Sequence, residues 1–294
     1  MKTLRFYILL PFIYSISLLP FRLLYLTSDI LNFVLFKIVG YRKEVIQQNL
    51  SNSFPQKTRD EIANIRKAFH QHFCDTMLET AKMLTIGKKA FLKRCYFVDL
   101  SLFEKYYAKQ QNIIVAMGHF GNWEWGNYAM SLSSPYKLYA VYKTLQDRRF
   151  NHFVYHIRAR FGALPVAKDN IFRLLFKERE TRSVTALIAD QTPAKKYAYW
   201  ASFLNQETAI YQGTEKIAKK MNYPVLFASI RKVKRGYYQI HLEELFSEPK
   251  NTEEGEITKR HTAFLEEEIR QQPHLWLWSH KRWKHKREKE NIAE

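Results

Sequence analysis

The chain has 294 residues, of which 46% are hydrophobic, enough to bury a sizeable core in one large α/β domain or two smaller ones. Lys and Arg outnumber Asp and Glu by 47 to 28, and the formal net charge of +19 fits nucleic acid, an anionic membrane surface or an anionic substrate. The charge is accompanied by no zinc-finger spacing, RNA-binding aromatic signature or phosphate-binding glycine loop. Two cysteines, Cys74 and Cys95, form no disulfide framework, which fits a reducing compartment.

Residues 4–40 are strongly apolar, and their longest run without a charge is the 16 residues from Phe6 to Phe21. That run contains two prolines and is shorter than the roughly 20 residues of a spanning helix. No small-residue cleavage site of a signal peptide follows it. We therefore predict that residues 1–40 are an uncleaved membrane anchor, either one marginal spanning helix or a pair of helices lying in the interface. The alternative is a buried N-terminal helix of the globular core.

The first helix predicted beyond this segment begins at a capping box, because Thr58 and Glu61 have the required spacing. Its apolar residues recur with helical periodicity. The face expected to be buried consists of Ile62, Ile65, Phe69, Phe73, Met77, Thr80 and Leu84.

The central motif is residues 118–124, which follow the short, β-branched apolar run 112–117. That run predicts a buried strand, so His119 lies at a strand's end, where α/β sheets place reactive groups. On one continuous helix, residues five apart point about 140° away from each other. A turn at Gly121 would instead bring the Glu124 carboxylate to the imidazole, fix its tautomer and leave the other ring nitrogen to act as a base. Such a base suits a hydroxyl attacking an acyl carbonyl; a purely structural histidine is the alternative.

A second buried strand, predicted at 183–189, ends in the same way, with Asp190 and Gln191. A turn in which Asp190 is only a cap is the alternative. Between the two motifs we predict a strand at 137–142 and a helix from Phe150 to Phe161. Arg158 and Arg160 flank the apolar stripe of this helix on opposite sides, so periodicity does not say which one reaches a cleft.

The C-terminal part predicts a helix at 212–221, a strand pair at 224–230 and 237–242, and a helix at 257–270 that ends before Pro273. Residues 275–284 contain three tryptophans and several basic residues. The tryptophans could pack the segment onto the core, and its basic residues are either solvated or directed at lipid phosphates. We expect one domain at 41–284 and a basic, disordered tail at 285–294.

Together these features resemble the late acyltransferases of lipid A biosynthesis, the lauroyl and myristoyl type, within the lysophospholipid acyltransferase superfamily. The resemblance covers roughly residues 41–284, and its motifs occur in the family's order. They are Tyr41-Arg42, Asn49-Leu50, Phe54-Pro55, Gly118-His119, Asn122-Trp123-Glu124, Asp190-Gln191, Trp276, Trp278, His280 and Arg282-Trp283. One departure is at 203–205, where Phe-Leu-Asn stands in place of a frequent Phe-Phe-Gly.

The resemblance implies a mixed β-sheet flanked by helices, of the glycerolipid acyltransferase type, in an enzyme at the cytoplasmic face of the bacterial inner membrane. It implies transfer of a fatty acyl chain from acyl carrier protein to a hydroxyl of an anionic glycolipid, a lipid A precursor, as part of lipopolysaccharide biosynthesis. Acyl-acyl carrier protein would be the co-substrate. No cofactor, metal or nucleic acid is implied. Two rivals remain: the same chemistry on a lysophospholipid, aminolipid or phosphatidylinositol mannoside, and a non-catalytic basic membrane-binding protein.

The same resemblance assigns roles to individual residues. His119 would be the catalytic base and Glu124 its partner. Contacts with substrate are expected from Asn122, Arg158, Asp190 and Gln191, with Arg160 as a competitor of Arg158. For the oxyanion of acyl transfer, the candidate donors are backbone N–H groups near Gly121 and Asn122 or the Arg158 guanidinium.

Overall fold

A seven-stranded mixed sheet forms the centre of the computed structural model, which describes residues 2–287. The sheet order is β1-β9-β8-β2-β5-β3-β4, and every neighbouring pair is parallel except the antiparallel pair β8–β9. Two further strands, β6 and β7, form a separate antiparallel hairpin. The strands are β1 (Cys95–Phe97), β2 (Ile113–Met117), β3 (Lys137–Tyr142), β4 (Leu164–Ala167), β5 (Ser183–Ile188), β6 (Ala198–Phe203), β7 (Gln206–Tyr211), β8 (Val225–Lys234) and β9 (Tyr237–Phe246).

Helices flank this sheet, so the predicted α/β class with a mixed sheet is confirmed. They are α1 (Lys2–Leu18), α2 (Phe21–Asn32), α3 (Lys43–Ser53), α4 (Arg59–Lys82), α5 (Lys88–Leu92), α6 (Ser101–Ala108), α7 (Trp123–Ser133), α8 (Arg148–Ala159), α9 (Ile171–Lys177), α10 (Gly213–Met221) and α11 (Glu256–Gln271). A π-helical segment, Phe33–Ile38, continues α2.

The strand before the central motif is buried over its whole length, as its unbroken apolar sequence predicts. Alternate side chains of β2 point to opposite faces of the sheet. Val115 lies in one apolar cluster with Trp125 of α7, and Ile114 lies in another with Ile217 of α10. Helices therefore cover both faces of β2, a central strand of the sheet.

The predicted capping box of α4 is confirmed: the Glu61 N–H donates to Thr58 Oγ1, and the Thr58 N–H donates to the Glu61 carboxylate. The predicted buried face is wrong in the second half of the helix. Met77 there is 48% exposed, whereas Asp75 and Glu79 are fully buried. The carboxylates can be buried because side chains from α2 and from the β8–β9 hairpin donate hydrogen bonds to them.

Helices α1 and α2 lie on the surface and keep many large apolar side chains exposed, so a buried core helix is not what forms here. α1 is held at one end by Lys82, whose Nζ donates to the Ser17 carbonyl, and through Phe6, which packs edge-on against Phe150 of α8. The exposed side chains are Tyr7, Ile8, Leu9, Phe12, Tyr14 and Leu18 on α1, and Leu23, Leu26 and Ile30 on α2.

Within residues 2–287, no single helix is both long enough and apolar enough to cross a membrane. One bent pair passes the same criteria, Phe21–Ile38 with Lys43–Ser53, and its two parts meet at 91°. The prediction of a disordered tail concerns residues 285–294, and from residue 288 onward this tail lies outside the described residues.

The β6–β7 turn contains the departure from the family's Phe-Phe-Gly. Leu204 and Asn205 both adopt positive φ angles, 51° and 61°, as the tight turn of a two-residue hairpin requires. Leu204 is completely buried, and Asn205 donates from Nδ2 to the Ser53 carbonyl. These tertiary contacts offset the cost of the left-handed conformation that a glycine would adopt freely.

Candidate active site

His119 and Asp190 meet at the carboxyl edge of the sheet, directly beyond two neighbouring parallel strands. In the register of β2 and β5, Met117 pairs with Ile188, so each polar residue lies two positions past that pair. His119 Nδ1 is 2.6 Å from Asp190 Oδ1, and the His119 backbone N–H donates to Oδ2 at 2.9 Å. The two strand ends singled out in the sequence thus form one site.

Asp190 is buried and held by a third donor, the indole Nε1–H of Trp276, at 2.8 Å from Oδ2. Burial alone would raise the pKa of Asp190. The charge of protonated His119 and the hydrogen bonds from His119 and Trp276 outweigh burial and lower this pKa well below its usual range. Asp190 therefore stays ionised, which is the state that stabilises an imidazolium.

The second ring nitrogen of His119 points away from Asp190 toward the surface. When Nδ1–H donates to Asp190, Nε2 carries the lone pair and is able to accept a proton. The Gln191 amide nitrogen lies 3.2 Å from this Nε2, and the Trp123 ring packs edge-on against the imidazole with centroids 5.1 Å apart. The side chain of His119 is 16% exposed, enough for contact with a bound substrate.

Glu124 forms its ion pair with Arg158, and the carboxylate that holds His119 Nδ1 is Asp190 instead. Glu124 lies in the first turn of α7, facing α8. Arg158 Nε donates to Oε2 at 2.9 Å, and Nη2 donates to Oε1, a bidentate arrangement. The prediction that Glu124 holds His119 Nδ1 is therefore wrong. A catalytic role of Glu124 stays a prediction.

Arg158 of α8 and Arg160, which follows the end of this helix, have different partners. Arg158 reaches Glu124, whereas Nη1 of Arg160 donates to the carbonyls of Met83 and Ile86 beyond the end of α4, at 2.7 Å each. Burial opposes the charge of Arg158, but the Glu124 carboxylate raises its pKa overall. The Glu124–Arg158 pair is therefore a charged pair beside the site.

Asn122 is fully buried and acts as the N-cap of α7, because its Oδ1 accepts from the Trp125 N–H at 3.0 Å. Its Nδ2 donates to Glu79 Oε2 at 2.7 Å. Both side-chain polar atoms are thus bonded within the protein. The expected contact of Asn122 with substrate stays a prediction, and these bonds favour a structural role.

Gly121 makes the turn that separates His119 from α7. Its φ is 61°, and a Cβ at this position would collide with the Ile230 carbonyl oxygen, so both conformation and space require glycine. Its N–H donates to the Leu275 carbonyl at 3.1 Å. This N–H is therefore already bonded within the protein, and the role of the neighbouring backbone N–H groups in stabilising an oxyanion stays a prediction.

A groove of about 320 Å³ opens beside these residues, between α4 and the segment 275–280. Its wall includes the polar residues Arg42, His72, Thr76, Thr80, Glu124, Ser279 and His280. Most of the remaining lining is aromatic or aliphatic, and includes Tyr41, Phe69, Phe73, Trp123, Leu275 and Trp276. Trp123 and Trp276 line the groove and also contact His119 and Asp190, respectively, so these two rings link the groove to the pair.

A model of the family described as bacterial lipid A biosynthesis acyltransferase matches residues 1–285. The chain belongs to this family. A comparison with curated proteins finds no match. The family match extends over the N-terminal helices as well as the motifs of 41–284, and it confirms the resemblance read from those motifs.

In this lipid A acyltransferase, part of the site comes from a segment whose role the sequence left open. The Phe120–Trp276 backbone bridge fixes 275–282 against the central motif. The Thr192 N–H donates to His280 Nε2 at 3.3 Å, and burial lowers the pKa of His280 to about 4, so its ring is neutral. Arg282 is buried and donates to the Ala209 carbonyl; it is not solvated. The Trp-x-Trp-x-His-x-Arg spacing was the available signal.

Proposed function

We propose that this protein transfers a fatty acyl chain from the thioester of acyl carrier protein to a hydroxyl of a lipid A precursor. The observation on which the proposal rests is the His119–Asp190 pair, in which a buried carboxylate holds Nδ1 and Nε2 faces Gln191. Trp123 and Trp276 link this pair to a largely apolar groove. The same groups are what acyl transfer to a hydroxyl needs: a base, an ionised partner and a hydrocarbon site. The family match supports lipid A as the pathway of the acceptor.

In the proposed reaction, His119 Nε2 takes the proton of the acceptor hydroxyl as its oxygen attacks the thioester carbonyl carbon. Asp190 stabilises the resulting imidazolium through Nδ1. The tetrahedral intermediate collapses with cleavage of the carbon–sulfur bond. The carrier thiolate leaves and receives the proton from Nε2, so His119 returns to its neutral form.

The groove is the proposed site of the acyl chain. Its walls are largely apolar, and its volume of about 320 Å³ lies at the lower end of the range of about 300–1,000 Å³ typical of small-molecule sites. Trp123 forms both part of the groove and the edge of the His119 environment. A chain bound there would present its thioester at the base.

Arg158 and Glu124 are proposed to organise the substrate's polar groups. Two of the five N–H donors of Arg158 are used by Glu124. The remaining donors can stabilise the oxyanion or an anionic group of the substrate, while Glu124 fixes the plane of the guanidinium. Gln191, 3.2 Å from Nε2, is proposed to orient the acceptor hydroxyl.

We place the protein at the cytoplasmic face of the bacterial inner membrane, with α1 and α2 lying in the interface. The support is the row of exposed large apolar side chains on these helices together with the net charge of +19. The same positive charge would attract two anionic partners, acyl carrier protein and the phosphorylated glycolipid.

The test is an acyl-transfer assay with the purified full-length protein, long-chain acyl-acyl carrier protein and a lipid A precursor in mixed micelles. We expect product from wild type and a loss of at least about 10²-fold with His119→Ala or Asp190→Asn. Product with a lysophospholipid but not with the lipid A precursor would show that the acceptor is a different lipid. Equal rates in wild type and His119→Ala would overturn His119 as the base, and no product from wild type with either acceptor would overturn acyl transfer.

A further inference from the structure

The Glu79 carboxylate of α4 is a junction between the surface helix α2 and the active-site loop. Glu79 is completely buried. Its Oε1 accepts from the Tyr25 hydroxyl of α2 at 2.9 Å, and its Oε2 accepts from Asn122 Nδ2 at 2.7 Å. The Tyr238 hydroxyl of β9 is a third donor, at 2.8 Å from Oε2. One carboxylate thus joins a surface helix, the sheet and the loop.

The loop side of this junction fixes the start of α7. Asn122 caps the helix through the Trp125 N–H, and the Trp125 indole Nε1–H donates to the Glu79 carbonyl at 3.0 Å. Glu124, which pairs with Arg158, lies between these two anchored residues. Any shift of the Glu79 carboxylate therefore moves the turn between His119 and Glu124.

On the other side of the junction, Tyr25 belongs to α2, a helix with two different faces. The inner face of α2 is polar where it meets α4: Ser28 Oγ donates to Asp75 Oδ1 at 2.7 Å, and Asn32 Nδ2 donates to Gln71 at 2.8 Å. The outer face carries Leu26, which is 57% exposed, and other apolar side chains. A lipid surface that contacts the outer face fixes the position of Tyr25 on the inner face.

We propose that Tyr25 and Glu79 are positioning residues that couple the seating of α2 on a lipid surface to the order of the active-site loop. This rests on the membrane contact of the proposed function. Lipid contact holds α2 against α4, the Tyr25 hydroxyl then fixes Glu79, and Glu79 fixes Asn122 and the first turn of α7. In the absence of a lipid surface the loop samples more open conformations, and acyl transfer is slower.

The test is hydrogen exchange of the full-length protein with and without vesicles of phosphatidylethanolamine and phosphatidylglycerol. It compares wild type, Tyr25→Phe and Tyr238→Phe. Both variants remove one phenol donor from Glu79, but only Tyr25 belongs to α2, so Tyr238→Phe is the matched control. The informative amides are those of Trp125 and Gly126, which both donate to Asn122.

In wild type and Tyr238→Phe, we expect vesicles to slow exchange in α2 and at the start of α7. In Tyr25→Phe, vesicles should still protect α2 but lose their effect at α7, with a difference of about two- to tenfold, the span that one hydrogen bond supports. The kcat of Tyr25→Phe on micellar substrate should fall by a similar factor while the KM for the acceptor stays unchanged.

Vesicle protection at α7 that persists in Tyr25→Phe would overturn the coupling and leave the acyl-transfer assignment intact. If vesicles protected only α2 in wild type, the coupling would likewise be overturned and the acyl-transfer assignment left intact. Vesicles that protect neither helix in wild type would overturn the membrane contact together with the coupling. Because exchange is measured without any reaction, none of these outcomes depends on the choice of acceptor.

Discussion

The candidate active site contains two ion pairs that are built in different ways. His119 and Asp190 follow neighbouring parallel strands, and the register of the sheet brings them together. Glu124 and Arg158 belong to α7 and α8, and helix packing joins them. In the first pair the second ring nitrogen faces the surface, where its neighbour is the Gln191 amide. In the second pair both carboxylate oxygens are bound by the guanidinium.

This difference favours the first pair for the proposed proton transfer. A base needs a lone pair that a substrate can reach, and His119 Nε2 has one when Nδ1–H is held by Asp190. A bidentate ion pair instead holds two charges in fixed positions and suits orientation or charge stabilisation. Glu124, the carboxylate nearest to His119 in sequence, therefore pairs with Arg158. Asp190, which follows His119 by 71 residues, holds the imidazole.

The largest effect is expected for Asp190→Asn, which keeps the shape of the side chain but removes its charge. We expect the rate of acyl transfer to fall by about 10²–10⁴-fold, because the imidazolium loses its counter-ion. Steady-state rates on a lipid A precursor measure this loss. The matched control is Asp147→Asn, where the aspartate caps α8 and accepts two backbone N–H groups. A variant of Asp190 as active as that control would disprove the assignment.

Glu124→Gln should act mainly on stability. Removing one partner from the largely buried pair leaves Arg158 unpaired and costs about 3 kcal/mol in the free energy of unfolding, with part of the loss recovered in the double variant with Arg158→Gln. Urea unfolding measures the free energy of unfolding of the single and the double variant. Glu180→Gln, in an exposed pair with Arg179, should cost less than about 1 kcal/mol. If Glu124→Gln were fully stable yet inactive, Glu124 itself would act on the substrate.

The histidine behind Asp190 predicts acid sensitivity of this half of the site. Burial lowers the pKa of His261 to about 4, although Glu215 and Asp190 oppose that shift. Between the unfolded value of about 6.5 and pH 4 the unfolded chain binds the extra proton, so stability falls as the pH falls through this window, by up to about 3 kcal/mol. Thermal unfolding from pH 7 to pH 4 should show a shallower decline in His261→Gln.

If His261→Gln and wild type lost stability equally between pH 6.5 and 4, other groups would be responsible for the acid sensitivity.

A smaller effect is expected for Trp276→Phe, which removes the indole donor to Asp190 but keeps an aromatic ring. The loss of one hydrogen bond to a charged group, worth about 1.5–3 kcal/mol, should lower the rate by roughly one to two orders of magnitude. Trp278→Phe is the matched control, because its indole donates to the Pro273 carbonyl. Similar rates in the two variants would show that the donor to Asp190 is dispensable.

Much of the fold could be predicted from local sequence. Unbroken β-branched runs gave β2 and β5, and the spacing of Thr58 and Glu61 gave the start of α4. Each of these signals is contained in a few neighbouring residues. The position of His119 and Asp190 at strand ends was predicted for the same reason, because a strand's end is visible in the sequence.

The partner of His119 could not be predicted in the same way. Which strands are neighbours depends on non-local pairing, and the spacing of His119 and Glu124 favoured a contact within one segment. The face of α4 shows the same limit: Asp75 and Glu79 look like solvated positions until donors from α2 and the β8–β9 hairpin are known. Polar groups can be buried wherever distant partners satisfy them, and periodicity contains no information about those partners.

The distribution of the site along the chain has a consequence for its synthesis. Asp190 follows His119 by 71 residues, and Trp276 follows Asp190 by a further 86. At about 5–20 residues per second, each of these intervals takes a ribosome roughly 4 to 17 seconds. The surface helices α1 and α2 thus emerge well before the imidazole has its carboxylate, and the carboxylate emerges before its indole. A nascent chain can therefore reach a lipid surface while it is still catalytically inert.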